Sequence, residues 1–335
     1  MDKAIISKKE MAGQRLMLGF DGIDLNDDLK YIIAEINACG IILFKRNIQT
    51  PEQVAFLCDA CQNYAKSCGI PPLFIGVDQE GGTVARLKEP FTLFKGNPFI
   101  ESVQDARDFA TITATELKQV GINMNFAPVL DIVPAGVDSI MKDRVFKGDA
   151  KTVSRFGTEV IQTLQMNGIM AVAKHFPGIG RTIKDSHFHL PVLDIDIETL
   201  KRSDMVPFVA AKSKEVSGIM MSHILYPKLD RHWQASLSPL IGNDLLRSQM
   251  GYDGLVMTDD LDMKAIEHDM KTSIRQILKS GIDIALICHK GPDIDIAYNE
   301  ITKQINQNEN LYQACNISLQ RILKYKKKYL LHPSS

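Results

Sequence analysis

The sequence predicts an α/β protein built as a single (β/α)8 barrel, and three observations predict it. Short apolar runs recur eight times, helix-patterned stretches separate most of them, and six of the eight end on Asp or His. In order, the runs are RLMLGF ending at Phe20, GIILF at Phe44, PLFIGVD at Asp78 and INMNFAPVLD at Asp131. Then come IMAVAKH at His175, SGIMMSH at His223, GLVMTD at Asp259 and DIALICH at His289. Continuous apolar runs suit strands covered on both faces, as in parallel sheets. Stretches such as EQVAFLCDACQNYAKS and SRFGTEVIQTLQMNG are long enough to be crossovers. Eight such repeats in about 250 residues fit a closed barrel. The rival, a doubly wound open sheet, lacks its GxGxxG turn after the first strand.

After the eighth run, residues 299–330 read as one or two closing helices, and their basic end, KYKKKYL, as a helix terminus in water. No linker or low-complexity segment divides the chain, so residues 1–335 are expected to form one domain.

Lys and Arg number 39 against 40 Asp and Glu, a formal net charge of -1. That balance gives no reason to expect nucleic acid or an anionic membrane as partner. The first residues, MDKAIISKKEMAGQRLMLGF, show no signal-peptide pattern, and no stretch approaches the roughly 20 apolar residues that span a bilayer. A cytoplasmic location is therefore expected. Of six cysteines, Cys58 and Cys61 have a metal-like spacing but no second pair, and read as thiols on one amphipathic helix.

In a barrel the C-terminal strand ends converge on one mouth, where active sites of this fold are built. Three segments there carry chemistry. In DQEGGTVAR, two glycines allow a tight path that brings Asp78 and Arg86 to one ligand, although a surface ion pair across a turn explains them equally well. In KHFPGIGRTIKDSHFHLPVLD, Lys174 and His175 close a strand, and Pro177, Gly178 and Gly180 hold off a helix. Asp185 and His187, two apart, can form a carboxylate–imidazole pair suited to general acid/base work, or simply cap a turn. In GLVMTDDLDMKAI, Asp259 ends a buried strand, where a carboxylate can attack an anomeric carbon. Asp260 and Asp262 read as first-turn residues of a following helix, favoured by its dipole. The HxH of His187 and His189 lies beyond the fifth strand rather than near the first, as metal-dependent amidohydrolases want it, so no metal or other cofactor is expected.

GIILFKRN, DQEGG, NFAPVLDI, KHFPGxG followed by DSH, and TDD followed by LxM occur in that order from about Leu16 to about Ile287. This ordered set resembles the family-three glycoside hydrolases, above all the single-domain bacterial β-N-acetylglucosaminidases of cell-wall recycling. The resemblance implies a retaining mechanism with Asp259 as nucleophile and His187, oriented by Asp185, as acid/base. It also implies that Asp78, Arg86, Arg144, Lys174 and His175 grip the sugar, and that the substrate is a small carbohydrate or muropeptide. Relatives of this length imply a monomer. The sequence departs from the family pattern at Ile179, where a His is usual, at Thr83, where an Arg is usual, and at Val145 and Lys147 beside Arg144. Competing readings are a β-glucosidase or β-xylosidase, a silent sugar-binding barrel, and a lyase or aldolase using Lys174 as a Schiff base.

Overall fold

The structure, a computed structural model, describes residues 6–183 and 190–331. Eight parallel strands close into a barrel: Leu16–Leu18, Gly40–Leu43, Phe74–Val77, Met124–Asn125, Met170–Phe176, Gly218–Met221, Leu255–Asp260 and Ile284–Ile287. The first strand makes the closure, setting Met17 against Gly40 of the second and Leu16 against Ala285 of the eighth. Each apolar run of the sequence supplies one strand.

The fourth run is the one that departs in detail. Its ladder ends at Asn125, since Pro128 brings no N–H, and the chain runs on beside the fifth strand, where Lys174 N–H donates to Pro128 O at 3.1 Å. Asp131 therefore lies well past the strand and not at its end.

Inside the barrel, Met17, Phe74, Met124, Phe126, Met170 and Met257 form an apolar filling. A Cβ at Gly76 would stand 2.7 Å from Met17 Cε and 2.8 Å from Phe126 Cζ, so glycine makes room for that ring. A second apolar layer lies between barrel and helices. Thr50, Ser102, Asp149 and Asp269 cap the helices Pro51–Ser67, Val103–Gln119, Ala150–Met166 and Met270–Lys279. Each cap accepts a first-turn N–H and is worth about 1 kcal/mol. Cys58 and Cys61 are fully buried free thiols on the first of these. Among the described residues, no helix is long and apolar enough to cross a membrane.

The C-terminal end is not a basic terminus in water. Ile322 and Tyr325 of the helix Glu309–Lys326 join the interior cluster and carry Lys326 in with them. Lys326 is 1% exposed; its Nζ donates to Gln14 Oε1 at 2.8 Å and stands 5.4 Å from the Phe74 ring centre. Burial pushes its pKa down to about 8. Lys324, Lys327 and Lys328 do remain exposed.

Candidate active site

Directly after the third strand, Gln79–Gly81 and Val84–Ala85 form a small antiparallel hairpin. Gly81 and Gly82 turn it with φ of 83° and 62°, a region that disfavours side chains, and Gly82 N–H donates to Phe94 O at 2.8 Å. The turn returns Arg86 to Asp78, with Arg86 Nη2 3.0 Å from Asp78 Oδ2.

From there an alternating line of charge crosses the barrel mouth. Lys174 Nζ lies 2.6 Å from both Asp78 Oδ1 and Glu80 Oε1. Glu80 in turn takes Arg144 in a fork, Nη2 at 2.7 Å and Nε at 3.0 Å. Burial works to raise the pKa values of Asp78 and Glu80, but the surrounding cations outweigh it and hold both below the usual carboxylate range. Burial likewise works to lower Lys174 and Arg144, and their carboxylates raise both instead. These four groups are thus ionised at neutral pH. Arg144 keeps its place although Val145 and Lys147 depart from the family pattern. Its carbonyl accepts from Asn97 Nδ2 at 2.9 Å, Val145 is buried, and Lys147 stands over the Phe99 ring.

Asp259 is the penultimate residue of the seventh strand, Leu255–Asp260. Burial raises its pKa, but the neighbouring His223 and His175 rings, the Asp260 N–H at 2.8 Å and the Lys174 charge prevail, and the carboxyl sits below its ordinary value. His175 Nδ1 is held by Asp131 Oδ2 at 2.7 Å, while the other Asp131 oxygen accepts from Ile179 N–H at 2.8 Å. His223 is fixed between Ser236 Oγ and the Asp260 carbonyl, and burial lowers its pKa.

Asp260 and Asp262 do not open a helix. The strand runs through Asp260, and the next helix begins only at Met270. Both carboxylates instead accept the Cys288 N–H, and Asp262 also accepts the His289 N–H, tying the seventh strand's loop to the eighth's. Burial pushes the Asp260 pKa up to about 6. Asp260, Asp262 and His289 are the one group among the described residues whose ligand atoms lie close enough to share a metal ion, all within 4.8 Å. One oxygen of each carboxylate already serves these backbone donors.

A cavity of about 340 Å3 opens at the mouth, and Asp78, Arg86, Arg144, Lys174, His175 and Asp259 all line it. Every candidate from the sequence that falls within the described residues is therefore in one place. Asp185 and His187 lie outside the described residues. A larger hollow of about 670 Å3 beside residues 261–275 shares only Met263 with the first and carries none of the candidates. The arrangement offers one ionised carboxylate facing a space ringed by charged donors and acceptors, as a polyhydroxylated ligand requires.

Sequence reasoning passed over Glu80 and the holding role of Asp131. One signal for Glu80 was present: two residues beyond Asp78 on an extended segment, it projects to the same side.

The chain matches the glycosyl hydrolase family 3 N terminal domain over residues 9–325. A beta-hexosaminidase of Thiobacillus denitrificans is 36% identical over 285 residues, covering 82% of this chain and 78% of that protein. A beta-hexosaminidase of Idiomarina loihiensis is 30% identical over 323 residues, covering 92% and 96%. Among solved structures, the family 3 beta-N-acetylglucosaminidase of Paenibacillus sp. str. FPU-7 superposes with a TM-score of 0.92 at 34% identity. That match covers 98% of this chain but 64% of the Paenibacillus chain, which is longer. The beta-N-acetylhexosaminidase of Beutenbergia cavernae gives a TM-score of 0.88 at 25% identity, covering 97% and 99%. With the family matched over nearly the whole barrel and the charged mouth in place, the chain belongs to glycoside hydrolase family 3 and is a glycoside hydrolase.

Proposed function

We propose that the protein is a retaining β-N-acetylglucosaminidase that releases terminal β-linked N-acetylglucosamine. The observation that carries the reading is Asp259, an ionised carboxylate on the wall of a cavity whose remaining polar groups suit sugar hydroxyls. The beta-hexosaminidase and beta-N-acetylglucosaminidase names of the relatives support the sugar class.

In this reading, Asp259 attacks the anomeric carbon as the bond to the leaving oxygen breaks, forming a glycosyl-enzyme. His187, oriented by Asp185, protonates that oxygen, then takes a proton from the water that releases the sugar. The DSH spacing supports this pair. Asp78, Arg86, Arg144, Lys174 and His175 grip the sugar ring. Peptidoglycan fragments as substrate, a cytoplasmic setting, a monomeric state and independence from metal complete the proposal.

The test is hydrolysis of 4-nitrophenyl N-acetyl-β-glucosaminide followed by proton NMR. The β-anomer should appear first. An α-anomer as the first product would sink the retaining mechanism, and turnover of the glucoside but not the N-acetylglucosaminide would sink the sugar class.

A further inference from the structure

We propose that Glu80 is a positioning residue of the sugar grip, setting where Lys174 and Arg144 present their free donors; the inference rests on the hydrolase reading above. Glu80 is 2% exposed, and among the described residues its carboxylate serves these two cations. Its Oε1 takes Lys174 Nζ at 2.6 Å and Arg144 Nη2 at 2.7 Å, so the two positive groups stand close together because one oxygen lies between them. Oε2 takes Arg144 Nε at 3.0 Å, which fixes the plane of the guanidinium as well as its position.

Counting donors shows what this does for a ligand. An ammonium has three N–H bonds. On Lys174, Asp78 takes one as a hydrogen bond at 2.6 Å and Glu80 Oε1 pairs with the same ammonium by charge at 2.6 Å, which leaves donor capacity for the cavity that the lysine lines. A guanidinium has five. Glu80 takes two on Arg144 and Met141 Sδ a third, from Nη1 at 3.6 Å, leaving two for the same cavity. Glu80 itself does not line the cavity, so it acts on a sugar only through these neighbours. Without its charge, two buried cations face one another across a neutral group, and their mutual repulsion moves both away from the ligand.

The test compares Glu80→Gln, which keeps the shape, with Glu80→Asp, which keeps the charge one methylene short. Steady-state kinetics on 4-nitrophenyl N-acetyl-β-glucosaminide and the dissociation constant of N-acetylglucosamine are read well below each protein's melting temperature. A misplaced binding group of this kind lowers kcat/KM on the order of 10- to 100-fold. Here Glu80→Gln should do so chiefly through KM, with N-acetylglucosamine binding weakened in parallel and Glu80→Asp recovering part of both. A structural role alone would lower the melting temperature and leave KM and the dissociation constant within about twofold of wild type. That result, or a loss confined to kcat, overturns the proposal; should Glu80→Gln not fold, Glu80→Asp decides by the same readouts. Wild-type turnover that Asp259→Ala abolishes shows the hydrolase reading standing while Glu80 is judged. A wild type that neither turns over nor binds the sugar removes both.

Discussion

Lys326 offers a test of the fold that owes nothing to catalysis. Its ammonium lies inside the barrel floor with, among the described residues, a single side-chain acceptor, Gln14 Oε1, and burial lowers its pKa to about 8. In the unfolded chain the value is about 10.4, and that gap corresponds to roughly 3 kcal/mol. The sign follows from proton counting. Between about pH 8 and 10.4 the unfolded chain binds more protons than the native one, so stability rises with pH across that window. Below it, the native protein carries the full penalty of a buried charge. Lys326→Met removes the penalty and also the Gln14 hydrogen bond, which is worth about 1 kcal/mol. The variant should therefore be more stable than wild type at pH 7 by about 2 kcal/mol, and the advantage should vanish by about pH 10. Cys39, whose thiol burial pushes up to about 12, has the opposite effect at alkaline pH, but it is present in both proteins and largely cancels in their difference. Urea unfolding followed by far-UV circular dichroism at pH 7, 8, 9 and 10 supplies that difference. A gap between the two proteins that is flat with pH, or a variant less stable at pH 7, would refute the reasoning.

Three further outcomes are expected. Gly76→Ala sets a methyl group against Met17 and Phe126, and should lower stability by about 1–3 kcal/mol in denaturant titration. Asp131→Asn weakens the hold on His175 and on the Ile179 N–H; with charge-assisted bonds worth about 1.5–3 kcal/mol, kcat/KM should fall on the order of 10- to 100-fold, with a loss of stability of similar size in denaturant titration. Treatment with EDTA should leave turnover of the nitrophenyl substrate unchanged, and a loss restored by added Zn2+ would contradict the metal-free mechanism.

The barrel was legible because its signal is local. A run such as GLVMTD carries in consecutive residues both the strand and the polar group at its end. Asp78, Lys174, His175 and Asp259 could be found for the same reason. The features that escaped depend on pairings far apart in the chain. Glu80 acquires its role from Arg144 and Lys174, which come from separate loops and strands. Asp262 looks like a helix start until Cys288 and His289 arrive to be bonded. KYKKKYL reads as a soluble tail because charge is counted by residue, whereas burial is decided by which helical face Ile322 and Tyr325 occupy. Asp131 was found as a polar residue near a strand end, but the shortened ladder before Pro128 and the bond to His175 gave it a holding place instead.

The most direct test of the central claim is to trap the intermediate on Asp259. A 5-fluoro N-acetylglucosaminyl fluoride slows both chemical steps by opposing oxocarbenium character, while its good leaving group still allows the first. Mass spectrometry should then find one added glycosyl unit per protein, on the peptide carrying Asp259 and on that side chain. A label on another residue, or no label from an enzyme that still turns the compound over, would contradict Asp259 as the nucleophile.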